Sequence, residues 1–360
     1  MAENFIFTNK NRNPFPIEKI IIFRALQLGD MLNAVPAFRA LRAAYPEAYI
    51  TLAGLPWCDK FVERFHAYLD DFITFPGYPG LPEQKPDLPA ILSFLENMQR
   101  QKFDLAIQMQ GSGDIVNPMI ELFGAKQTAG YYLPDQYCPD PDFYLIYPDG
   151  EPESRRHLHL MDFLGIPLQG SDLELPLFEE DWTSLQQIKD QYRLRNDYVC
   201  IHPGARGLHR RWAPEKFAVV ADWLTALGYQ VVLTGSAEEA ELTSKVNQYM
   251  QAKAIDLAGK TDLGTLGALV SQAHLVVSND TGMSHVAAAL KVPSVILFAV
   301  SHSVRWAPTN EQLHKRIWDA MDKNPEQVIL QIEKHMVNIY TRPELSMERA
   351  PATSLKGATL

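Results

Sequence analysis

The chain contains few cysteines and no long apolar run. Its three cysteines, Cys58, Cys138 and Cys200, are too far apart for a disulfide framework or a zinc site, and a reducing cytoplasm is the expected compartment. No stretch of about 18 uninterrupted apolar residues is present, so no transmembrane helix is predicted. The N-terminus also lacks the basic segment and apolar run of a secretory signal.

The chain also lacks an excess of positive charge. Its 360 residues include 43 acidic and 33 basic side chains, for a formal net charge of −10. Such an acidic chain is a poor candidate for binding nucleic acid through its overall field. A hydrophobic share of 46% and a charged share of 21% are ordinary for globular proteins. The length predicts two domains.

Short apolar runs alternate with helical patterns along the chain. The predicted strands are 19–24, 49–53, 72–75, 104–108, 198–202, 230–234, 254–257, 274–278 and 294–298. The predicted helices are 31–44, 59–66, 90–100, 114–123, 154–164, 214–227, 238–250, 263–271, 283–290 and 325–336. Residues 131–152, rich in Pro, Asp and Tyr, are predicted to form a loop.

This alternation predicts an α/β fold, because apolar strands followed by helices form parallel sheets covered on both faces. We expect two doubly wound, Rossmann-like domains facing a cleft, residues 1–175 and 176–320. A C-terminal helix within 321–340 and a loose tail, 341–360, follow them. Such sheets bind ligands beyond the carboxyl ends of their strands, so the chemistry is expected in the strand-to-helix loops.

The first such loop runs from Arg24 to Asp30. Gly29 allows a tight turn, and Asp30 is predicted at the start of the following helix. Its carboxylate is a candidate catalytic base, and the alternative is that it only caps the helix.

The second loop is His202-Pro-Gly204-Ala-Arg206-Gly-Leu-His-Arg210-Arg211-Trp212. Backbone N–H groups beside guanidinium groups favour a phosphate site. The alternatives are a solvated basic loop and, for His202, a histidine that merely ends a strand.

The third loop contains Gly235, Glu238 and Glu239. A carboxylate after a strand can bind ribose hydroxyls, and it can equally stabilise a helix N-terminus without any ligand.

The fourth loop is Ser278-Asn-Asp280-Thr281-Gly282-Met-Ser284-His285. Gly282 lets the backbone approach a ligand, and the N–H groups and dipole of the following helix favour a diphosphate. Asp280 and His285 could instead serve as structural hydrogen-bonding groups.

Other site classes are disfavoured. The chain has no Gly-rich dinucleotide fingerprint, P-loop or Gly-x-Ser-x-Gly elbow. Asp140-Pro-Asp142 lies in a Pro-rich loop with no strand before it, and His157-Leu-His159 has no completing ligands. No metal site is predicted.

The chain resembles glycosyltransferase family nine, whose members transfer heptose from ADP-heptose onto the lipopolysaccharide inner core. The similarity covers about residues 18–335. Its motifs are Leu28-Gly29-Asp30 with Pro36, 103–107 with Gln110-Gly111, His202-Pro203-Gly204, Arg211-Trp212-Ala-Pro214, Leu257-Ala-Gly259-Lys260-Thr261, and Asn279-Asp280-Thr281-Gly282 with His285.

The resemblance implies a GT-B fold, inverting transfer without a metal or other cofactor, and donor binding mainly by the second domain. Asp30 matches the family's catalytic aspartate, and Arg210 lies where the family often has a lysine near the donor phosphate. Glu239 is the first choice for the ribose contact, followed closely by Glu238. Arg210, with Arg206 or Arg211, and the helix near Gly282 are expected to stabilise the leaving diphosphate.

The partners implied by the resemblance are a nucleotide-sugar donor, expected to be ADP-linked, and a glycan or glycolipid acceptor. The enzyme is expected in the cytoplasm or peripherally at the inner membrane, with its final helix packed back across both domains. Two other functions stay open: a nucleotide-sugar-binding protein without transfer activity, and a nucleotide-sugar epimerase of similar fold.

Overall fold

The computed structural model describes residues 16–299 and 304–340, and the chain divides into two compact units, residues 1–172 and 173–360. The predicted tail, 341–360, lies outside the described residues. The predicted domain boundary at 175/176 stays a prediction.

The strands of the first unit are β1 Lys19–Phe23, β2 Tyr49–Gly54, β3 Asp71–Thr74, β4 Leu105–Gln108, β5 Gln127–Tyr132 and β6 Tyr144–Ile146. Its helices are α1 Leu28–Ala44, α2 Cys58–Arg64, α3 Leu88–Gln101, α4 Val116–Glu121 and α5 Glu153–Phe163. The helix α1 packs against α5.

The strands of the second unit are β7 Tyr198–His202, β8 Gln230–Leu233, β9 Ile255–Asp256, β10 Val276–Asn279, β11 Ser294–Leu297 and β12 His314–Ile317. Its helices are α6 Glu179–Tyr192, α7 Pro214–Ala226, α8 Ala240–Tyr249, α9 Leu263–Ser271, α10 Gly282–Ala289 and α11 Pro325–Tyr340. Within this unit α11 packs against α7 and β12.

The described part of each unit contains one six-stranded parallel sheet. The order is β3-β2-β1-β4-β5-β6 in the first unit and β12-β11-β10-β7-β8-β9 in the second. Read from its other edge, the second sheet repeats the first with every strand number raised by six. This is the Rossmann order, in which the strand order reverses beside the first strand.

The central strands are buried on both faces, as the apolar runs predict. In β1, Ile20, Ile21, Ile22 and Phe23 have no exposed surface. A strand with water on one face would alternate polar and apolar residues, so this run needs helices on both sides of the sheet. The predicted α/β class is confirmed.

Several predicted elements need correction. The strand β5 was not predicted, and the loop predicted at 131–152 contains its last two residues and the whole of β6, a three-residue strand that pairs with β5 at the edge of the described sheet. The short strand β12, which pairs with β11, was also not predicted. Such short edge strands depend on tertiary pairing, and their sequences carry little periodic signal. The helix α6 was not predicted, and α1 begins at Leu28, three residues before the predicted start.

Among the helices of 16–299 and 304–340, none combines the length and the apolar character needed to cross a membrane.

One buried histidine predicts how stability depends on pH. His314 begins β12, is 2% exposed, and its Nδ1 lies 2.8 Å from Ser294 Oγ. Burial, reinforced by the nearby His335 and Arg316, lowers the pKa of His314 to about 3. The folded protein therefore keeps this side chain neutral at pH values where the unfolded chain would protonate it.

We expect this contribution to stability to be complete above pH 6.5 and to be lost as pH falls toward 3. At pH 5 the loss is about 2 kcal/mol for this one group. Urea unfolding of His314→Asn should therefore change less between pH 7.5 and pH 5 than unfolding of the wild type. The exposed His66→Asn is the control, and equal pH dependence in all three proteins would contradict the assignment.

Candidate active site

Asp30 lies in the first turn of α1, just after the loop that follows β1. Its Oδ2 accepts a hydrogen bond of 3.1 Å from the backbone N–H of Gln27. Asp30 therefore does cap the helix, but from inside its first turn: Gln27 is the N-cap residue, and Asp30 is the third residue of the helix. The helix starts early because this carboxylate reaches back to an N–H group that would otherwise lack a partner.

Gln110 follows β4, the strand beside β1, and is a second polar group at this edge of the sheet. It is 3% exposed, and its Oε1 accepts a 2.6 Å hydrogen bond from the N–H of Ala25. Its Nε2 has no hydrogen-bond partner in the described part of the chain. The strand order reverses between β1 and β4, where doubly wound sheets bind ligands. The motif Gln110-Gly111 by itself predicted no role for this side chain.

The predicted donor-binding residues all belong to the second unit. They follow or end β7, β8 and β10, which are neighbours in the sheet. They are His202, Gly204, Arg206, Arg210, Arg211, Gly235, Glu239, Asp280, Thr281, Gly282 and His285.

The loops after β7 and β10 are joined by an ion pair between two of these residues. Arg210 Nη2 lies 2.7 Å from Asp280 Oδ2 and donates to the Asp280 carbonyl oxygen at 2.5 Å. The buried Asn279 adds two bonds, from its Nδ2 to Pro203 O and from the Trp212 N–H to its Oδ1. The sequence predicted no role for Asn279 beyond its place in a motif, and the structure shows that its side chain links the two loops.

The loops after β7 and β8 meet around Glu239. Its Oε2 accepts a 2.9 Å hydrogen bond from the Ser236 N–H and lies 3.9 Å from His202 Nε2. The carboxylate also lies so close to Gly204 that a Cβ there would overlap it, and a Cβ on Gly235 would stand 3.2 Å from Glu239 Cβ. The two glycines thus leave the space that this carboxylate occupies.

His202 is held as a neutral side chain in this group. Its Nδ1 lies 3.1 Å from Thr234 Oγ1. Burial lowers the pKa of His202, and the carboxylate of Glu239 only partly opposes that effect.

The helix α10 begins at Gly282 beside the ion pair of Arg210. Thr281 precedes it in extended conformation, and its side chain makes no capping hydrogen bond. The first N–H groups of a helix have no partner within the helix, so this terminus suits an anion.

Three of the predicted residues stand apart from these contacts. Arg206 is exposed, and Arg211 donates through Nε to Ala205 O of its own loop at 2.7 Å. His285 is 4% exposed and close enough to His314 to contribute to lowering its pKa. Both the donor role of His285 and its alternative role as a structural hydrogen-bonding group stay predictions.

No group of three or more potential metal ligands occurs within residues 16–299 and 304–340. Asp140 Oδ1 accepts a hydrogen bond from the Asp142 N–H, so this acidic pair closes a turn. His157 is buried, and burial lowers its pKa to about 4. Metal independence itself stays a prediction.

Two Rossmann-like units with polar loops at the carboxyl ends of their strands are the architecture of the GT-B fold. Two solved structures have similar folds. A family 9 glycosyltransferase from Veillonella parvula aligns with a TM-score of 0.76, 21% identity and coverage of 91% of this chain and 99% of that one. ADP-heptose lipopolysaccharide heptosyltransferase II of Escherichia coli aligns with a TM-score of 0.71, 22% identity and coverage of 89% and 99%.

Sequence comparison identifies the family. The model of glycosyltransferase family 9 (heptosyltransferase) matches residues 154–337. Lipopolysaccharide heptosyltransferase 3 of Escherichia coli K12 is 35% identical over 294 residues, 79% of this chain and 83% of that protein. The chain belongs to glycosyltransferase family 9, as its motifs predicted, and is a glycosyltransferase.

The fit of Glu239 against Gly204 makes a testable prediction. A methyl group in Gly204→Ala should push the carboxylate away from the Ser236 N–H and lower the free energy of unfolding by about 1 kcal/mol. In a Glu239→Ala background the same change should cost almost nothing, because the overlapping group is gone. Thermal unfolding of the four proteins of this cycle measures the coupling. Equal costs in both backgrounds would contradict the geometry.

Proposed function

We propose that this glycosyltransferase moves heptose from an ADP-linked donor onto a lipopolysaccharide acceptor, with inversion and without a metal. The observation that carries the proposal is the 35% identity to a lipopolysaccharide heptosyltransferase over most of both chains. The similar E. coli structure is that of an enzyme named for ADP-heptose, which supports the choice of nucleotide.

In this proposal the second unit binds the donor. The diphosphate contacts the guanidinium of Arg210 and the N–H groups at the start of α10, near Thr281 and Gly282. Those positive groups stabilise the charge that develops on the leaving ADP. Glu239 binds the ribose hydroxyls, and His202, Gly204 and Gly235 shape the place in which that carboxylate stands.

Asp30 of the first unit is the proposed general base. It takes the proton of the acceptor hydroxyl as that oxygen bonds to the anomeric carbon. The bond from that carbon to the phosphate oxygen breaks, and ADP leaves with the electron pair. General-base assistance of this kind contributes roughly 10²- to 10⁴-fold in rate.

A lipopolysaccharide acceptor also bears on the location of the enzyme. Its lipid part lies in a membrane, so we propose that the protein works in the cytoplasm at the surface of the inner membrane.

We predict that Asp30→Asn lowers kcat by roughly 100-fold or more and leaves ADP affinity within about twofold of the wild type. The matched control is Asp181→Asn. Asp181 is the third residue of α6 and accepts a 2.8 Å hydrogen bond from the Phe178 N–H, the same capping arrangement as Asp30. Loss of this cap should lower the unfolding temperature and leave kcat unchanged.

The assay measures heptose transfer from ADP-heptose to a heptose-deficient lipopolysaccharide core, with calorimetry for ADP. Near-normal turnover of Asp30→Asn would reduce this side chain to a helix cap. Absence of transfer by the wild type would contradict the proposed function.

We further predict that Arg210→Ala weakens ADP binding by about 10- to 100-fold and adenosine binding much less, because a charge-assisted hydrogen bond to the diphosphate is lost. Glu239→Ala should weaken ADP and adenosine alike. Arg195→Ala is the control, since Arg195 precedes β7 and donates to Gly228 O at the opposite end of the strand.

Calorimetric titration of both ligands separates these outcomes. If Arg210→Ala binds ADP normally, the diphosphate contact belongs to Arg206, Arg211 or the start of α10. If both site variants bind normally, the donor does not bind at these loops.

A further inference from the structure

A buried guanidinium at the end of β1 takes no part in the mechanism above. Arg24 follows the last residue of that strand and has no exposed surface. Its Cα belongs to the same loop that leads to Asp30, six residues later. Burial of a long charged side chain is costly and needs compensating contacts.

Two of those contacts go to one atom of Asp30. Arg24 Nε and Nη2 donate to the Asp30 carbonyl oxygen at 3.1 and 2.8 Å. The Arg24 guanidinium therefore binds the main-chain oxygen of Asp30, the proposed base. The Gln27 N–H donates to the Asp30 carboxylate. Backbone and side chain of Asp30 are each fixed by a separate donor.

The rest of the guanidinium is tied to two other elements. Nη1 donates to Met109 O, the first residue after β4. Nη2 lies 3.2 Å from Glu153 Oε1, at the start of α5, and Glu153 is itself 3% exposed. Arg24 thus joins the turn of Asp30 to the neighbouring strand and to the helix that packs against α1.

Glu153 is in turn held by a second buried cation. Arg156 Nη1 lies 2.7 Å from Glu153 Oε2, and the Arg156 guanidinium lies over the Tyr147 ring at 4.2 Å. His157 Nε2 lies 3.4 Å from Glu153 Oε1. Burial lowers the pKa of His157 to about 4, so it adds no charge at neutral pH.

The need for stability alone does not explain this arrangement. A buried ion pair is often replaced by apolar side chains of similar size at no cost in stability. An apolar side chain cannot donate hydrogen bonds, whereas the planar guanidinium of Arg24 contacts three acceptors at once, on Asp30, Met109 and Glu153. A displacement of about 1 Å in a reacting group can cost 100-fold in rate.

We propose that Arg24 is a positioning residue for Asp30, and that Glu153 orients the Arg24 guanidinium for this task. The inference rests on the proposed function, because it gives Arg24 a role only if Asp30 is the base. The pair sets where the first turn of α1 stands relative to β1 and β4.

The test is the double variant Arg24→Met with Glu153→Gln. Methionine keeps the length and removes the charge of Arg24. Glutamine keeps an oxygen that can accept from Arg156, so the buried Arg156 guanidinium loses its carboxylate partner and keeps a hydrogen bond. We expect kcat to fall about 10- to 100-fold with ADP affinity unchanged, because the proposed donor loops belong to the second unit. A general loss of folded protein would lower both quantities.

The matched control lies at the other end of the same helix. Arg42, in the last turn of α1, donates to the carbonyl oxygens of Pro46, Ala48 and Tyr68 and pairs with Asp70 at 2.5 Å. Arg42→Met with Asp70→Asn removes the corresponding contacts of this more exposed pair and should lower the unfolding temperature with kcat unchanged.

If the double variant does not fold, Arg24→Lys is the second variant that tests the inference. It keeps a charge opposite Glu153 and loses the fork, so kcat should again fall with ADP affinity intact. Near-normal kcat in either Arg24 variant, parallel loss of kcat and ADP affinity, or an equal kcat loss in the Arg42 control would overturn the inference. If the wild type fails to transfer heptose, the proposed function fails and this inference with it.

Discussion

The parallel pairing of the first strand of each unit with two neighbours is the constraint on which the candidate sites depend. β1 lies between β2 and β4, and β7 lies between β8 and β10. Because all strands are parallel, their carboxyl ends lie along one edge of the sheet, and the loops that leave them carry the polar groups. The reversal of strand order beside β1 and β7 leaves a crevice between diverging connections at that edge.

The charged residues at this edge differ between the two units in burial and in partners. In the first, Arg24 and Glu153 are buried, and Arg24 donates to the backbone oxygens of Asp30 and Met109. In the second, the Arg210 side chain is 35% exposed and pairs with Asp280. A buried, fully bonded guanidinium suits the fixing of a base, whereas a partly exposed one can exchange its carboxylate for a phosphate.

In the second unit, the positions of the charged side chains depend on close contacts with the backbone. Glu239 stands where it does because residue 204 has no Cβ. The neighbouring loops keep their relation because Asn279 bonds to backbone atoms on both sides of the loop that carries Arg210. Gly204 and Asn279 therefore help to set the positions of Glu239 and Arg210 without themselves having to contact a ligand.

The sequence by itself determined the α/β class, most of the strands and helices, and the loops in which polar groups follow buried strands. It did so because apolar periodicity and turn residues are local signals. The family followed from the order of its motifs. Only the tertiary structure decided the strands β5, β6 and β12, the early start of α1 that makes Asp30 its third residue, and the pairings of Arg24 with Glu153 and of Arg210 with Asp280. Those partners are 129 and 70 residues apart, and such distant contacts leave no local pattern in the sequence.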